Sequence, residues 1–373
     1  MGDWILFGIF LVFTISTAIQ IFYYCYYYLA VHYNSQSRQA VSLHPVSVII
    51  CARNEDANLR DFLPSVLTQD YPDYEVIVVN DCSEDETYNV LGEYLSKYPR
   101  LRVSNINKDP KFTHSKKLAQ FIGIKASKNE ILVFTDADCR PDSDQWLKKI
   151  ASRFDEKTSY VLGYGGYFSG KGLLNAYIRY DTAFIAMQYL GMAIRGIPYM
   201  GVGRNMAYRK EEFFKNRGYG FHSSLISGDD DLFINSNAAS ENTTVEYGPE
   251  SATRSVAAAS FEEWVKQKKR HLTTAPYYKQ KDQLLLIAEP LTRMLFYLTF
   301  ILLLSFKFMW IEVLAIFGTR LIIQATVFPL VQKKLVEPGL VGYSLFFDIF
   351  SPLINGFLFI SKGKAQGKNQ WSS

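Results

Sequence analysis

The chain has 373 residues, enough for one large domain with a second region attached, and a formal charge of +4. Its Lys and Arg residues are scattered, which argues against a nucleic-acid partner. The four cysteines, at 25, 51, 82 and 139, form no CxxC pair and have no zinc-ligand spacing, so free thiols in a reducing compartment are the simplest reading.

From Trp4 to Val31 the chain carries no charge. Crossing a bilayer takes ~20 apolar residues, so residues 1–31 are expected to form an uncleaved transmembrane anchor. No basic stretch precedes the run, and it is too long for a signal-peptide core. Tyr23, Tyr24, Tyr26, Tyr27 and Tyr28 suit an aromatic belt at the membrane interface.

A charged, mixed region follows over residues 45–275. "VSVIICARNE" reads as a buried strand with a polar end, "NLRDFLPSVLTQ" as a helix, and "YEVIVVND" as a second strand. "DETYNVLGEYLSKY" is helical, "LRVSNIN" a third strand, "SKKLAQFIGIKAS" a helix and "EILVFTDAD" a fourth strand. Apolar strands alternating with amphipathic helices predict an α/β, Rossmann-like domain with a mostly parallel sheet. Ligands of such sheets sit beyond the strands' carboxyl ends, where Arg53 to Glu55, Asp81, Asp136 and Asp138 fall. Between the strands and the last region, "LLNAYIRYDTAFIAMQYLGMAI" predicts a packed helix that also has the composition of a membrane-facing one.

Residues 284–361 turn apolar again, in segments near 284–306, 308–331 and 339–361. Glu289 and Arg293, four apart, are spaced to pair; Arg320 and Asp348 sit inside apolar runs, where charges usually face other helices. Ser351-Pro352 is expected to break the last segment. Arg38 and Arg53 after the first span predict a cytoplasmic middle domain on an integral membrane protein, which would be in the inner membrane if the source is bacterial. Three further full spans would then leave the basic tail "SKGKAQGK" outside, so one of the three is expected not to span.

Asp136 and Asp138 alone would read as a solvated turn, but acids this close repel unless a cation lies between them. Mg²⁺ or Mn²⁺ takes carboxylate oxygens together with substrate phosphates, so a nucleotide diphosphate would complete the set. In "SGDDDLF", Asp229, Asp230 and Asp231 are a second concentration of acid.

These segments, in this order, resemble membrane-associated members of glycosyltransferase family 2, the inverting transferases with a GT-A fold. "SVIICARNED", "VIVVNDCSEDET", "FTDAD", "GVGRNMAYRK" and "SGDDDLF" carry the resemblance across about 60% of the chain. It implies that Arg53, Glu55, Asp81, Lys116 and Asp136 bind a UDP-sugar, with Glu55 and Asp81 at its uracil and ribose end. It implies metal ligation by Asp138 with support from Asp136, and an acceptor-side segment at Arg204 and Asn205. His114-Ser115 replaces the family's glycine, leaving Lys117 as an alternative to Lys116. Asp230 is the expected general base and Asp229 its neighbour, with Asp231 open as an alternative. "QKKRHLTT" resembles the Gln-x-x-Arg-Trp motif of processive members, so Gln267 and Arg270 would meet the diphosphate, but His271 stands where the tryptophan should be.

The resemblance implies a hexosyltransferase acting on a lipid or glycan acceptor at the membrane. A processive polysaccharide synthase is the alternative enzyme, and a catalytically silent membrane binding or assembly module the alternative of another class. A nicotinamide enzyme is disfavoured, since no GxGxxG follows the first strand.

Overall fold

In the computed structural model, residues 2–34, 43–108, 115–220, 225 and 227–361 are described. Arg38, His114 and the tail beyond Ser361 lie outside them.

The domain is built on β1 (Val46–Ala52), β2 (Tyr74–Asp81), β3 (Leu101–Ile106) and β4 (Ile131–Asp136), all parallel, with β1 between β2 and β4. Every residue of β1 and β2 is buried, as a strand covered on both faces requires. Alternation assigns the faces. Val48 and Ile50 pack with Leu59, Leu63 and Val90 of the helices Asp56–Leu67 and Thr87–Lys97. Ile49 faces the other way, toward Ile124 of the helix Lys116–Ala126 and the helix Leu173–Ile194.

Two small strands, β5 (Cys139–Pro141) and β7 (Gly165–Tyr167), join β10 (Thr253–Ser255) in a second sheet. The main sheet is completed by β6 (Tyr160–Gly163), β8 (Met206–Arg209) and β9 (Thr243–Glu246), giving the order β3-β2-β1-β4-β8-β6-β9. β8 is antiparallel to β4 and β6. In the β1 register Cys51 stands opposite Asp136 and Ala52 opposite Asn80, so three strands release their polar ends at one edge.

Among the described residues, four helices are long and apolar enough to cross a membrane: Asp3–Tyr33, Gln280–Ser305, Trp310–Leu335 and Val341–Ser361. The tyrosine cluster does not form the expected interfacial belt. Tyr23, Tyr24, Tyr27 and Tyr28 are buried, and only Tyr26 of the group is exposed. They lie in a six-residue π-helical stretch that packs against the helix Leu173–Ile194, where Tyr28 meets Phe184 with ring centres 5.5 Å apart. Gly191 of that helix sits so close to the backbone carbonyl of Tyr27 that a Cβ there would collide with it. This helix is therefore a core element between sheet and apolar helices, with 16 of its 22 residues buried.

Glu289 and Arg293 do pair, at 3.2 Å, and Arg293 also meets Asp348 at 3.1 Å. Arg320 bonds the other oxygen of Asp348 at 2.6 Å and the side-chain oxygen of Gln20 at 3.1 Å. All four long helices thus meet at one polar cluster. The last of them is continuous through Pro352 rather than broken there. Its Asn355 donates to Asp181 at 3.2 Å, and Leu358 is buried, so its carboxyl half stays packed on the domain.

Candidate active site

At the end of β4, Asp136 accepts from Lys116 Nζ at 2.8 Å. Lys116 opens the helix Lys116–Ala126, one residue past its Ser115 cap, and reaches Asp229 at 3.6 Å as well. Lys117 points elsewhere, donating to the carbonyls of Leu225 and Ser227 at 2.9 and 2.8 Å. Of the two lysines, Lys116 alone bridges the two groups of acids. Burial works against its charge, but Asp136, Asp229 and Asp230 together hold its pKa well above the ordinary lysine value.

The paired acids of the turn differ from one another. Burial opposes ionisation of Asp136, but Lys116, Arg204 and Arg270 hold its pKa below the usual carboxylate value. Burial and the neighbouring Asp136 charge push Asp138 up, against hydrogen bonds from Ser255 and Cys139. Ser255 Oγ donates to Asp138 Oδ2 at 2.6 Å, and the Cys139 thiol to Oδ1 at 3.4 Å. Ligand atoms of Asp136, Asp138 and Cys139 all lie within 4.8 Å of one another. Two carboxylates at that spacing, one of them driven toward neutrality by the other, fit a hard divalent cation.

Asp229 to Asp231 sit on the other side of Lys116. Gly228, with φ of 98°, turns the chain into them in a conformation that favours glycine. Asp230 caps the helix Asp231–Asn237, accepting from its neighbour's amide at 2.7 Å, and its other oxygen accepts from the Gly203 amide at 2.7 Å. Burial, then the charges of Asp229 and Asp231, raise its pKa to about 7, against the pull of Lys116. Asp231 is oriented differently. Its Oδ2 accepts from Thr274 Oγ1 and Tyr278 Oη, and its Oδ1 from the Leu232 amide at 2.7 Å. Both oxygens are committed to the fold, while Asp229 Oδ2 is buried without a hydrogen bond.

The other expected residues divide. Glu55 and Asp81 are buried at the ends of β1 and β2; the Glu55 side chain accepts from Asn58 at 2.6 Å and its amide donates to Thr87 at 2.9 Å. Arg53 Nη1 and Arg204 Nε are buried nitrogens without hydrogen-bond partners, and Arg204 lies over the Tyr167 ring at 4.5 Å. Gln267 and Arg270 are half-buried on the helix Phe261–Leu272, with Arg270 near enough to act on Asp136. Asn205 is not positioned for an acceptor. It is fully buried, accepts from Trp146 Nε1 at 3.0 Å and donates to the carbonyls of Tyr164 and Ser251 at 2.7 and 2.8 Å. Its amide joins three segments of the domain.

Sequence reasoning passed over Ser255, Thr274, Tyr278 and Tyr167. Ser255 reaches Asp138 across 117 positions of chain, with no local pattern to announce it. Thr274 and Tyr278 follow a basic stretch whose composition suits a membrane flank.

Residues 47–217 match the family model for glycosyl transferase family 2. The glycosyltransferase AglE of Haloferax volcanii is 33% identical over 145 residues, 38% of this chain and 46% of that protein. A probable glycosyltransferase of Bacillus subtilis, YdaM, is 30% identical over 188 residues, 48% of this chain and 43% of its own length. The chain thus spans less than half the length of these relatives. A solved mannosyltransferase from Pyrobaculum calidifontis, in complex with GDP-Man and Mn²⁺, is similar over 96% of this chain and 100% of its own, at 15% identity and a TM-score of 0.63. That likeness is one of fold.

Proposed function

We propose that this family 2 glycosyltransferase moves a hexose, with inversion, from a UDP-sugar to a lipid or membrane-proximal glycan acceptor, using Asp230 as the base. The observation carrying the reading is that one cleft holds carboxylates in two electrostatic states, with Lys116 between them. Asp136 is held ionised, whereas Asp230 is held near pKa 7.

Each state suits a different task. A base works best with a pKa near ambient pH, since it must be free to accept a proton and still bind it firmly. As the acceptor oxygen bonds to the anomeric carbon, its proton passes to Asp230 and the bond to the diphosphate oxygen breaks. Backbone amides of Gly203 and Asp231 fix the carboxylate while that happens. Asp231 is poorly suited to the role, because Thr274 and Tyr278 occupy its outer oxygen. Asp136 and Asp138 would hold Mg²⁺ or Mn²⁺, which neutralises charge on the departing diphosphate when bound. The unpartnered nitrogens of Arg53 and Arg204 are suited to phosphate oxygens, and Glu55 and Asp81 border the nucleoside end.

The reading includes a domain on the cytoplasmic side, where nucleotide sugars are made. A cysteine at the exposed Glu84 should then resist an impermeant thiol reagent in intact cells, and labelling without lysis would reverse the orientation. To test the reaction, purified full chain is incubated with UDP- and GDP-sugars and membrane lipids, and products are weighed by mass spectrometry. One added hexose per acceptor is expected. A ladder of sugars would favour the polysaccharide synthase, and no transfer from any donor the silent module.

A further inference from the structure

Between the second and third carboxyl-terminal helices lies a five-residue connector, Val336 to Leu340, whose Glu337 is among the most enclosed acids of the chain. Val336 holds φ of 56°, a conformation costly for a β-branched residue and retained only where its surroundings enforce it. What it presents is Glu337, turned into the catalytic domain. One carboxylate oxygen accepts from Tyr164 Oη at 2.7 Å and from Arg254 Nη1; the other is paired with Arg179 at 2.8 Å. Arg254 Nη2 also donates to the carbonyls of Leu335 and Val336 at 3.1 and 3.0 Å, closing the end of the helix Trp310–Leu335. A Cβ at Gly166 would collide with both Arg254 and Glu337, so this contact depends on a glycine in β7.

Arg254 is also joined to the active site. Its Nε donates to Asp142 at 2.8 Å, at the end of the turn that begins with Asp136 and Asp138. The next residue, Ser255, stands opposite Cys139 in the β10–β5 register and donates to Asp138. The turn is thus gripped at both ends by two consecutive residues of β10, and β10 is anchored to the connector through Glu337.

We infer that Glu337 is a positioning residue for Asp138, acting through Arg254 and Ser255, so that the apolar helix bundle fixes the cation-binding turn of the catalytic domain. The inference rests on the proposed cation role of Asp136 and Asp138. Outer residues that orient metal ligands typically change affinity by about 10- to 100-fold when substituted. Glu337→Gln keeps the shape and an oxygen for Tyr164 but removes the charge that holds Arg254 and Arg179.

The test is Mn²⁺ binding to purified full chain in the presence of UDP, followed by electron paramagnetic resonance of free Mn²⁺. Glu337→Gln and Ser255→Ala should each weaken Mn²⁺ about tenfold, with UDP binding in EDTA unchanged. The double variant should be little worse than either single one, because both act on one chain of contacts. If Glu337→Gln does not fold, Tyr164→Phe carries the test: it removes one hydrogen bond from Glu337, keeps every charge and should cost about threefold. Wild-type Mn²⁺ affinity in a folded Glu337 or Tyr164 variant, or losses that multiply in the double variant, would overturn the relay. Failure of the wild type itself to bind Mn²⁺ with UDP would instead overturn the cation reading on which it stands.

Discussion

Two clusters of buried charge invite comparison, one in the catalytic cleft and one among the apolar helices. In the bundle, Glu289 and Asp348 face Arg293 and Arg320, so positive and negative charges cancel, and Gln20 and Tyr297 take up further bonds. In the cleft, the five carboxylates of Asp136, Asp138, Asp229, Asp230 and Asp231 outnumber the near cations Lys116, Lys117, Arg204 and Arg270 among the described residues. The first set is balanced in charge, so most of its cost of burial is offset internally, as a structural lock requires, although Nε of Arg293 and of Arg320 is left without a hydrogen-bond partner. The second set is left negative, with one acid pushed to about 7 and another raised by burial and by its neighbour. Imbalance of that kind is where chemistry and cation binding are found.

Substitutions can break this contrast from either side. The largest effect on rate is expected from Asp230→Asn, which retains size and hydrogen bonding but cannot accept the proton. Turnover should fall by ~10²–10⁴-fold with donor binding nearly intact. Asp231→Asn should chiefly lower thermal stability. If it abolishes turnover while Asp230→Asn does not, the two aspartates have been given each other's roles.

In the bundle, Asp348→Asn leaves two arginines without their shared partner. A loss of about 3–5 kcal/mol is expected, read as a lower unfolding temperature in detergent. The folded fraction should keep a normal pH profile. A changed profile with unchanged stability would mean that the bundle cluster is not a lock.

Asp138→Asn removes one charge from the turn and should weaken Mn²⁺-dependent UDP binding by about 10- to 100-fold, with EDTA inhibiting the wild type. Full transfer in excess EDTA would remove the cation from the mechanism. The smallest and most diagnostic effect concerns pH. Because Asp230 must be deprotonated to act, kcat/KM should fall as pH drops through about 7. Asp229→Asn removes a charge that raises Asp230, so the limb should move to lower pH. A limb that stays in place would show that the Asp229 charge does not set it, leaving burial and Asp231.

How much of this was legible in the sequence follows from the reach of each interaction. β1, β2 and β4 could be read because strands buried on both faces are continuous apolar runs, and their acids lie at the strand ends by chain order. β6, β8 and β9 have four residues each, too few for a period to show, so this side of the sheet, with β8 as its one antiparallel strand among those described, leaves no pattern in the sequence. The choice between Lys116 and Lys117 could not be made from adjacent positions, because it depends on which side of one helix faces the acids. Asn205 falls in a motif that implies an acceptor contact, but a motif carries residue type and not what a side chain touches. The Tyr167 ring under Arg204 and the Ser255 hydroxyl on Asp138 are contacts between distant segments, visible only once the chain has folded.

The tyrosines of the first helix bear on whether the sheet domain could ever be separated from the first apolar helix. Tyr23, Tyr24, Tyr27 and Tyr28 belong to the same core as the sheet, and Tyr247 of the domain donates to the carbonyl of Val31 at 2.6 Å. Proteolytic clipping at the junction would therefore not shed an intact soluble enzyme. It would strip an aromatic wall from the helix Leu173–Ile194 and leave an adhesive surface in its place. Chain beginning at residue 43 still carries three long apolar helices and should aggregate even in a detergent that keeps the full chain monomeric; a stable, monomeric, active fragment in that detergent would show that the first helix is only a tether.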